Sequence, residues 1–364
     1  MGFSCGIVGL PNVGKSTIYR ALTSAEVTIE PYAFSTITPN IGIAQVPDER
    51  LDSIAKIIRP EKVVNTTLNF VDVAGLVEGA ASGEGMGNQF LSHIRKVNAI
   101  AHIVRCFEDS NVPHVSEELN PIRDIEIVEL ELILKDLETV DKRIAKTKKV
   151  SKAGDDEAME EIILLEMVRA DLDEGIPVRN IQFDEEEQTL IDQLFFLSAK
   201  PQLFVANIGE KNIGDNNYLL FNEVSKAAAD RKSPVISLCS KLEAELSELQ
   251  PEERSVFAEE LGIVESGLEN IVSIGYELLN LITFFTTRSN EVKAWTVRED
   301  THASVAAGKI HTDIEKGFIK ADVIKYEDLI EFESESAVRE KGLVMTVGRD
   351  YPVEDGDIIH FKFR

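Results

Sequence analysis

Cysteine is scarce in this chain, and positive charge is in deficit. The three cysteines, Cys5, Cys106 and Cys239, sit in apolar runs without C-x-x-C spacing. That pattern predicts small buried hydrophobes in a reducing compartment. Against 64 Asp and Glu there are only 38 Lys and Arg, a formal net charge of −26. Such a surface disfavours indiscriminate nucleic-acid binding. No DNA partner is expected, and an RNA contact requires a local basic patch. No uninterrupted apolar stretch approaches the roughly 20 residues that cross a bilayer, so no membrane partner is expected either. The N-terminus lacks a basic region and begins a strand at once, unlike a secretory leader. A myristoylation signal needs Ser or Thr at position six, where Gly6 stands. The expected location is cytoplasmic.

What is present is enough for two or three domains with proper cores: 364 residues, 43 % of them apolar. In the first third, FSCGIVGL (3–10), IGIAQV (41–46), TLNFVDVAGL (67–76) and AIAHIVRCF (99–107) are apolar runs. STIYRALTSA (16–25) and GNQFLSHIRKV (87–97) lie between them as helical stretches. Near-continuous apolar strands with helical crossovers predict a parallel sheet covered on both faces. QLFVANI (202–208) and PVISLCS (234–240) are two further strands of this kind.

Residues 121–175 differ, being rich in Glu, Leu, Lys and Ile without a strand-like run. Ile127, Leu130, Leu134, Leu137 and Ile144 fall at helical steps, SKAGDD (151–156) is a helix stop, and a second helix is expected over about 158–172. The segment reads as an antiparallel helical hairpin inserted into the α/β domain; two ordinary helices packed on the sheet are the alternative. After about Leu281, EVKAWTV, GKIHTDI, GFIKADVI, GLVMTVG and DIIHFKF are short strand candidates, with a strong turn at YPVEDGD (351–357). The expected division is 1–120 plus 190–280 as a nucleotide-binding domain, 121–189 as a helical insertion, and 281–364 as a small α+β domain.

The clearest chemical signal is GLPNVGKST (9–17), which fits G-x-x-x-x-G-K-[ST] between an apolar strand and a helix. Gly9 and Gly14 let the backbone form a nest of N–H donors for phosphates, through Asn12, Val13 and Thr17. The helix N-terminus adds partial positive charge. Lys15 is placed to reach the terminal phosphates, and the Ser16 hydroxyl to ligate Mg²⁺. Asp72, ending a strand in DVAG (72–75), is the expected second carboxylate, facing Mg²⁺ through water. Gly75 offers its N–H to a γ-phosphate.

GLPNVGKST, FSTITPN (34–40), DVAGLVEGAASGEGMGNQF (72–90) and GKIHTDIEKGFIKA (308–321) together resemble the Obg-like ATPase (YchF-type) family of translation-factor-class P-loop NTPases. The resemblance spans the chain. It implies an α/β P-loop NTPase domain of GTPase-like, Rossmannoid form, interrupted by a helical coil and followed by an α+β TGS domain of ubiquitin-like β-grasp fold. It also implies that Thr36 completes Mg²⁺ coordination, with Thr38 the competing choice. Asn12 resembles the residue that supports K⁺ in related enzymes, or else simply structures its loop.

Where Ras-like enzymes place a water-orienting Gln after D-x-x-G, this chain has Leu76. His114, in EDSNVPHVSEE (108–118), matches the family's candidate catalytic His; the alternative is a surface loop histidine. Slow intrinsic turnover is expected. The glycine-rich run EGAASGEGMGNQ (78–89) is expected to behave as a switch.

At PQLFVANIGEKN (201–212) a guanine-nucleotide switch would read Asn-Lys-x-Asp, but here Asn207 is followed by Ile208 and Glu210. A carboxylate in the guanine-reading position would face the N1 lone pair of adenine, so a displaced Glu210 favours an amino edge read by Asn207 and backbone groups. The resemblance implies ATP, with GTP tolerated in some members, and Ser240 in LCSK (238–241) as part of the loop closing over the base. KRIAKTKKVSK (142–152) holds six basic residues near the expected hairpin tip. It is either an rRNA contact, which the family's ribosome association favours, or a solvated helix end. Three function classes follow: a ribosome-associated regulatory ATPase, an Obg-type GTPase switch, or a nucleotide-sensing adaptor with negligible turnover.

Overall fold

The apolar runs form strands because their side chains are shielded on both faces. In chain order the strands are β1 (Ser4–Val8), β2 (Asn40–Gln45), β3 (Lys62–Val64), β4 (Thr67–Asp72), β5 (Ala99–Cys106), β6 (Gln202–Ile208), β7 (Val235–Leu238), β8 (Leu281–Thr287), β9 (Glu291–Arg298), β10 (Phe318–Ile324), β11 (Met345–Val347) and β12 (Ile358–Phe363). They come from a computed structural model that describes residues 3–24, 40–73, 93–114, 118–150, 155–215, 217–261, 266–288 and 290–364. The chain divides into two compact units, residues 3–43 with 69–271 and residues 44–68 with 272–364.

The first unit is built on a sheet of order β2-β4-β1-β5-β6-β7. The pairings β4–β1, β1–β5, β5–β6 and β6–β7 are all parallel. Every residue of β5 and β6 is buried, as expected for central strands of a covered parallel sheet. Strand β6 therefore lies beside β5 although about a hundred residues separate them in sequence. Order reverses at β1, which has β4 on one side and β5 on the other. Ligands of open α/β sheets bind beyond the carboxyl ends of strands at such a point.

Helices Pro121–Val150 and Asp156–Asp173 occupy the long interval before β6. Asp155 caps the second, accepting from the Ala158 N–H. Ile133, Val140 and Ile144 of the first pack with Leu164, Leu165, Val168 and Leu172 of the second. The packed face differs from the one the sequence spacing suggests: Leu130 and Leu134 are exposed, whereas Ile125, Val128 and Leu132 are buried. Leu137 packs partly against the cluster. The face rotates because the helix must also bury its start against the sheet, with Ile125 in the cluster of Val104, Phe204 and Val224. Asp136 is fully buried and accepts hydrogen bonds from the Leu197 and Ser198 amides at 2.8 and 2.7 Å. The expected helix stop at 151–154 lies outside the described residues. Within the basic run, Lys142 pairs with Glu138, Arg143 with Glu161 and Lys148 with Glu166, while Lys146 and Lys149 are exposed.

The second unit has a sheet of order β11-β10-β12-β8-β9-β3. Adjacent residues Phe284 and Phe285 of β8 go to opposite faces, as the strand period requires. Phe284 packs with Ala303, Ala306, Ala307 and Phe318, and Phe285 with Leu51, Ile54, Leu329 and Ile358. GKIHTDI does not form the expected strand: Ala303–Ile310 and Thr312–Lys316 are helices. Ala303, Ala306 and Ala307 fall on one helical face and are small enough to seat against the sheet, and this packing outweighs the local strand pattern. Helix Glu49–Ile58 belongs to this unit through Leu51 and Ile54, and β3 extends the sheet by pairing parallel to β9.

The turn at 351–357 closes on one carboxylate. Asp357, fully buried, accepts from Lys325 Nζ at 2.7 Å, the Tyr351 hydroxyl at 2.9 Å and the Glu354 amide at 3.0 Å. Removing it takes the buried acceptor from three donors, one of them the charged Lys325, which keeps Tyr351 and the exposed Glu354. Asp357→Ala is expected to cost about 2–4 kcal/mol in chemical denaturation of the full chain, whereas Glu354→Ala, losing an exposed partner of Lys325, costs less than about 1 kcal/mol.

Candidate functional site

Strand β1 runs into a tight loop, and helix Lys15–Ser24 starts where the loop ends. Two glycines make that geometry possible. At Gly9 (φ +154°) a Cβ would sit 2.4 Å from the Ile103 carbonyl oxygen. At Gly14 (φ +101°) it would sit 2.3 Å from Asn207 Nδ2. Asn12 between them is left-handed, with φ 63°. The loop is thus a compact backbone turn at a helix N-terminus, the arrangement that receives phosphate.

Lys15 is buried and donates to the Leu10 carbonyl at 2.5 Å, bracing the loop from inside. Burial pulls its pKa down to about 8, with the charge of Asp72 opposing the shift. Asp72, half-buried at the end of β4, is in turn held above the usual carboxylate range by burial, with Lys15 opposing. Each charge is short of a full partner. Ser16 is exposed at the first turn of the helix, and Thr17 follows it. Thr36, Thr38, Gly75, Leu76 and the glycine-rich run lie outside the described residues.

Asn207 joins the two sides of the site. It is buried, donates from Nδ2 to the Val13 carbonyl at 2.8 Å, and accepts at Oδ1 from the Ser240 amide at 2.9 Å. Its amide therefore fixes the framework of the site. Ile208 is buried in the core beside Cys106 and Ala206. Glu210, exposed, forms an ion pair with Lys241 at 2.7 Å. Together these elements line a cleft of about 860 Å³, to which the phosphate loop and its helix give Asn12, Gly14, Lys15, Ser16 and Thr17, and the segments around the ends of β6 and β7 give Ile208, Glu210, Cys239, Ser240 and Lys241. That volume suits a nucleotide-sized ligand.

His114 is placed differently. Its ring is largely buried, Nε2 lies 3.1 Å from Asp124 Oδ2, and it does not line the cleft. Burial raises the Asp124 pKa, against the opposing charges of His114, Arg123 and Arg105. Three further residues matter here that motif matching misses. Asp124 and Lys241 meet their partners only through the fold. Arg105 left a trace, as the one charge in the apolar run AIAHIVRCF. The three cysteines are buried free thiols, and burial pushes Cys5 and Cys106 up to about 12.

The Lys15 pKa has a measurable consequence. A triphosphate anion needs the ammonium form, which the fold disfavours and the bound anion restores. Below about pH 8 the charge is already present; above it, binding must take up a proton. The dissociation constant of a non-hydrolysable nucleoside triphosphate is therefore expected to be flat from pH 6.5 to 7.5 and to rise by up to about tenfold per unit above pH 8. Lys15→Arg, always charged, flattens the upper part of the curve whatever its absolute affinity.

Residues 4–148 match the family described as a 50S ribosome-binding GTPase (MMR_HSR1). Residues 281–364 match YchF-GTPase_C, described as a protein of unknown function (DUF933). The "Ribosome-binding ATPase YchF" of Escherichia coli O157:H7 is 46 % identical over 363 residues, covering 100 % of this chain and 99 % of its own. The protein so named in Bacillus subtilis (strain 168) is 46 % identical over 364 residues, covering 100 % of both chains. The solved structure of the Schizosaccharomyces pombe YchF GTPase superposes with a TM-score of 0.89 at 36 % identity, covering 99 % of this chain and 98 % of that one. With a phosphate loop at the sheet's switch point and likeness along its whole length, the chain belongs to the YchF family and pairs a P-loop GTPase-like α/β domain with a C-terminal α/β domain.

Proposed function

We propose that the protein is a slow, Mg²⁺-dependent ATPase of Obg-like type that works as a ribosome-associated regulator in the cytoplasm. The observation that carries the adenine part is the Glu210–Lys241 pair. In the slot where a guanine reader stands free, the carboxylate is already engaged at 2.7 Å. Guanine would have to compete with an ammonium for it, whereas adenine, with a lone pair at N1, has no use for a carboxylate there. Curated relatives that cover the whole chain are named ribosome-binding ATPases, which agrees with this choice.

In this reading the amides of Asn12, Val13 and Gly14, with Lys15, Ser16 and Thr17, hold the phosphates, and Gly75 adds its N–H at the γ-position. Ile208, Glu210 and Ser240 border the base, and Asn207 keeps that border fixed to the phosphate loop. Ser16, Thr36 and, through water, Asp72 hold Mg²⁺. The donors fit: Ser16 is exposed at the helix start, and Asp72 is a half-buried carboxylate whose raised pKa is opposed, among the described residues, by the charge of Lys15. Bound Mg²⁺ neutralises charge on the β- and γ-oxygens. Asn12 is the K⁺ ligand of this scheme. With Leu76 unable to orient water, His114 serves as the catalytic residue once it leaves Asp124.

The domains of this reading are 1–120 plus 190–280 for the nucleotide, 121–189 as an antiparallel helical hairpin inserted into it, and 281–364 as a TGS domain of β-grasp form, although residues 44–68 and 272–280 of the first range pack in the second compact unit. The hairpin and the TGS domain are the ribosome-facing parts. Lys146 and Lys149, exposed near the end of the first helix, are the available rRNA phosphate contacts. Binding through them weakens as salt rises.

Titration with labelled ATP and GTP tests the base assignment: ATP is expected to bind at least as tightly as GTP, and tenfold tighter GTP, about 1.4 kcal/mol, would overturn it. Phosphate release should be slow for the isolated chain and should rise when ribosomes are added. His114→Ala is expected to lower turnover at least tenfold with little change in ATP affinity; an unchanged rate would remove His114 from the chemistry.

A further inference from the structure

The segment that carries His114 leaves the sheet at the end of β5, and one side chain organises it. Arg105 is buried, 3 % exposed, and directs its guanidinium at five backbone carbonyls. Nε donates to Phe107 at 3.2 Å; Nη1 to Asn12 and Pro113, both at 3.4 Å; Nη2 to Asp109 at 3.4 Å and Val112 at 2.9 Å. All five N–H donors of an arginine are thereby used, and no carboxylate lies among these acceptors. The Phe107 ring covers the cation at 4.4 Å. One of the five carbonyls belongs to the phosphate loop and the other four to residues 107–113. Asn12 returns the connection, donating from Nδ2 to the Pro113 carbonyl at 3.1 Å. Phe107, Asp109 and Val112 also line the nucleotide cleft, so the loop wrapped around the guanidinium forms part of its wall.

Burying an arginine is costly: burial lowers its pKa, and only the more distant charges of Asp109 and Asp124 oppose this. A packing role alone would be met by an apolar side chain at this strand position. The fan of donors does what no apolar residue can, fixing a loop without secondary structure against the phosphate loop in one conformation. We propose that Arg105 is a positioning residue for nucleotide hydrolysis: it bolts the 107–113 loop to Asn12 and so fixes the anchor from which the His114 ring, once it leaves Asp124, reaches the phosphates. The proposal rests on the ATPase reading and on the assigned role of His114. It predicts that Arg105 acts on turnover through His114, while nucleotide binding, which rests on the glycines, Lys15 and Asn207, is largely spared.

Arg105→Lys in the full chain is the test, because Lys keeps the positive charge but its three donors cannot span five carbonyls. Relative to wild type, kcat is expected to fall at least tenfold, with ATP Kd changed less than threefold. Arg105→Lys/His114→Ala should be no slower than His114→Ala alone, since both lesions remove the same contribution. Amide hydrogen exchange across 107–113 should quicken in Arg105→Lys, while that of β5 and β6 stays protected. A wild-type kcat in Arg105→Lys, or losses that multiply in the double variant, would overturn the proposal. So would an unchanged exchange rate in the loop. A wild-type chain that turns over no ATP, with or without ribosomes, would instead overturn the ATPase reading; the exchange measurement still reports then whether Arg105 fixes the loop.

Discussion

One buried amide holds the nucleotide cleft together. Asn207 sits at the end of β6, which returns to the sheet after the helices at 121–173, and reaches across to the phosphate loop at Val13 and along to Ser240. The phosphate end and the base end of the cleft are separated by nearly two hundred residues of chain, yet these two hydrogen bonds fix one to the other. The absence of a side chain at Gly14 lets the amide approach, since a Cβ there would meet Asn207 Nδ2 at 2.3 Å and Ser240 Oγ at 3.0 Å. Everything else in the site inherits its spacing from this contact. Lys15 is braced inside the loop that Asn207 holds at Val13, while Glu210 follows just beyond the end of β6 and Lys241 stands next to the Ser240 that Asn207 holds.

Charges in the cleft follow a consistent logic. Those at the phosphate end are under-compensated, Lys15 pulled down and Asp72 pushed up by burial, so an anion and a cation arriving together relieve both. At the base end the opposite holds: Glu210 and Lys241 are exposed and already matched. An exposed ion pair contributes little to stability. Under the proposed function, the site draws charge from the triphosphate and presents the base with a carboxylate already paired.

The parts legible in the sequence were those in which a few consecutive residues carry the constraint. The phosphate loop is one, because two glycines, a lysine and a helix start define it locally. Strands β5 and β6 are another, because full burial leaves nearly continuous apolar runs, broken by His102 and Arg105 in β5 and by Gln202 and Asn207 in β6. Where the constraint comes from elsewhere in the chain, sequence reading stopped short. The buried face of Pro121–Val150 is set by two different neighbours, the sheet at Ile125 and the second helix at Val140, so no single period describes it. Leu51 and Ile54 stand on a helix that the sequence reading did not mark, and the fold shows that their core is that of Phe285 and Ile358. GKIHTDI carried strand-like residues, and three alanines before it decided otherwise. Asn207 was visible as part of a base-reading motif, but its two framework bonds were not.

The same distinction separates binding from chemistry in this molecule. Of the groups assigned to hold phosphate, Asn12 to Thr17 stand on the loop after β1 or on the helix that begins at Lys15, and Asn207 at the end of β6 ties that loop to the sheet. His114 stands on a loop, its ring against Asp124 and outside the cleft lining. A residue so held contributes to hydrolysis, under the proposed function, only once that contact opens, since Leu76 stands where Ras-like enzymes have a water-ordering Gln. Under the proposed function, tight binding and slow turnover are then two faces of one construction. The sheet fixes the nucleotide, while the step that cleaves it depends on a loop whose position is set by a single buried arginine rather than by secondary structure. Under that reading, a partner that shifts the 107–114 segment changes the rate by moving His114 relative to Asp124.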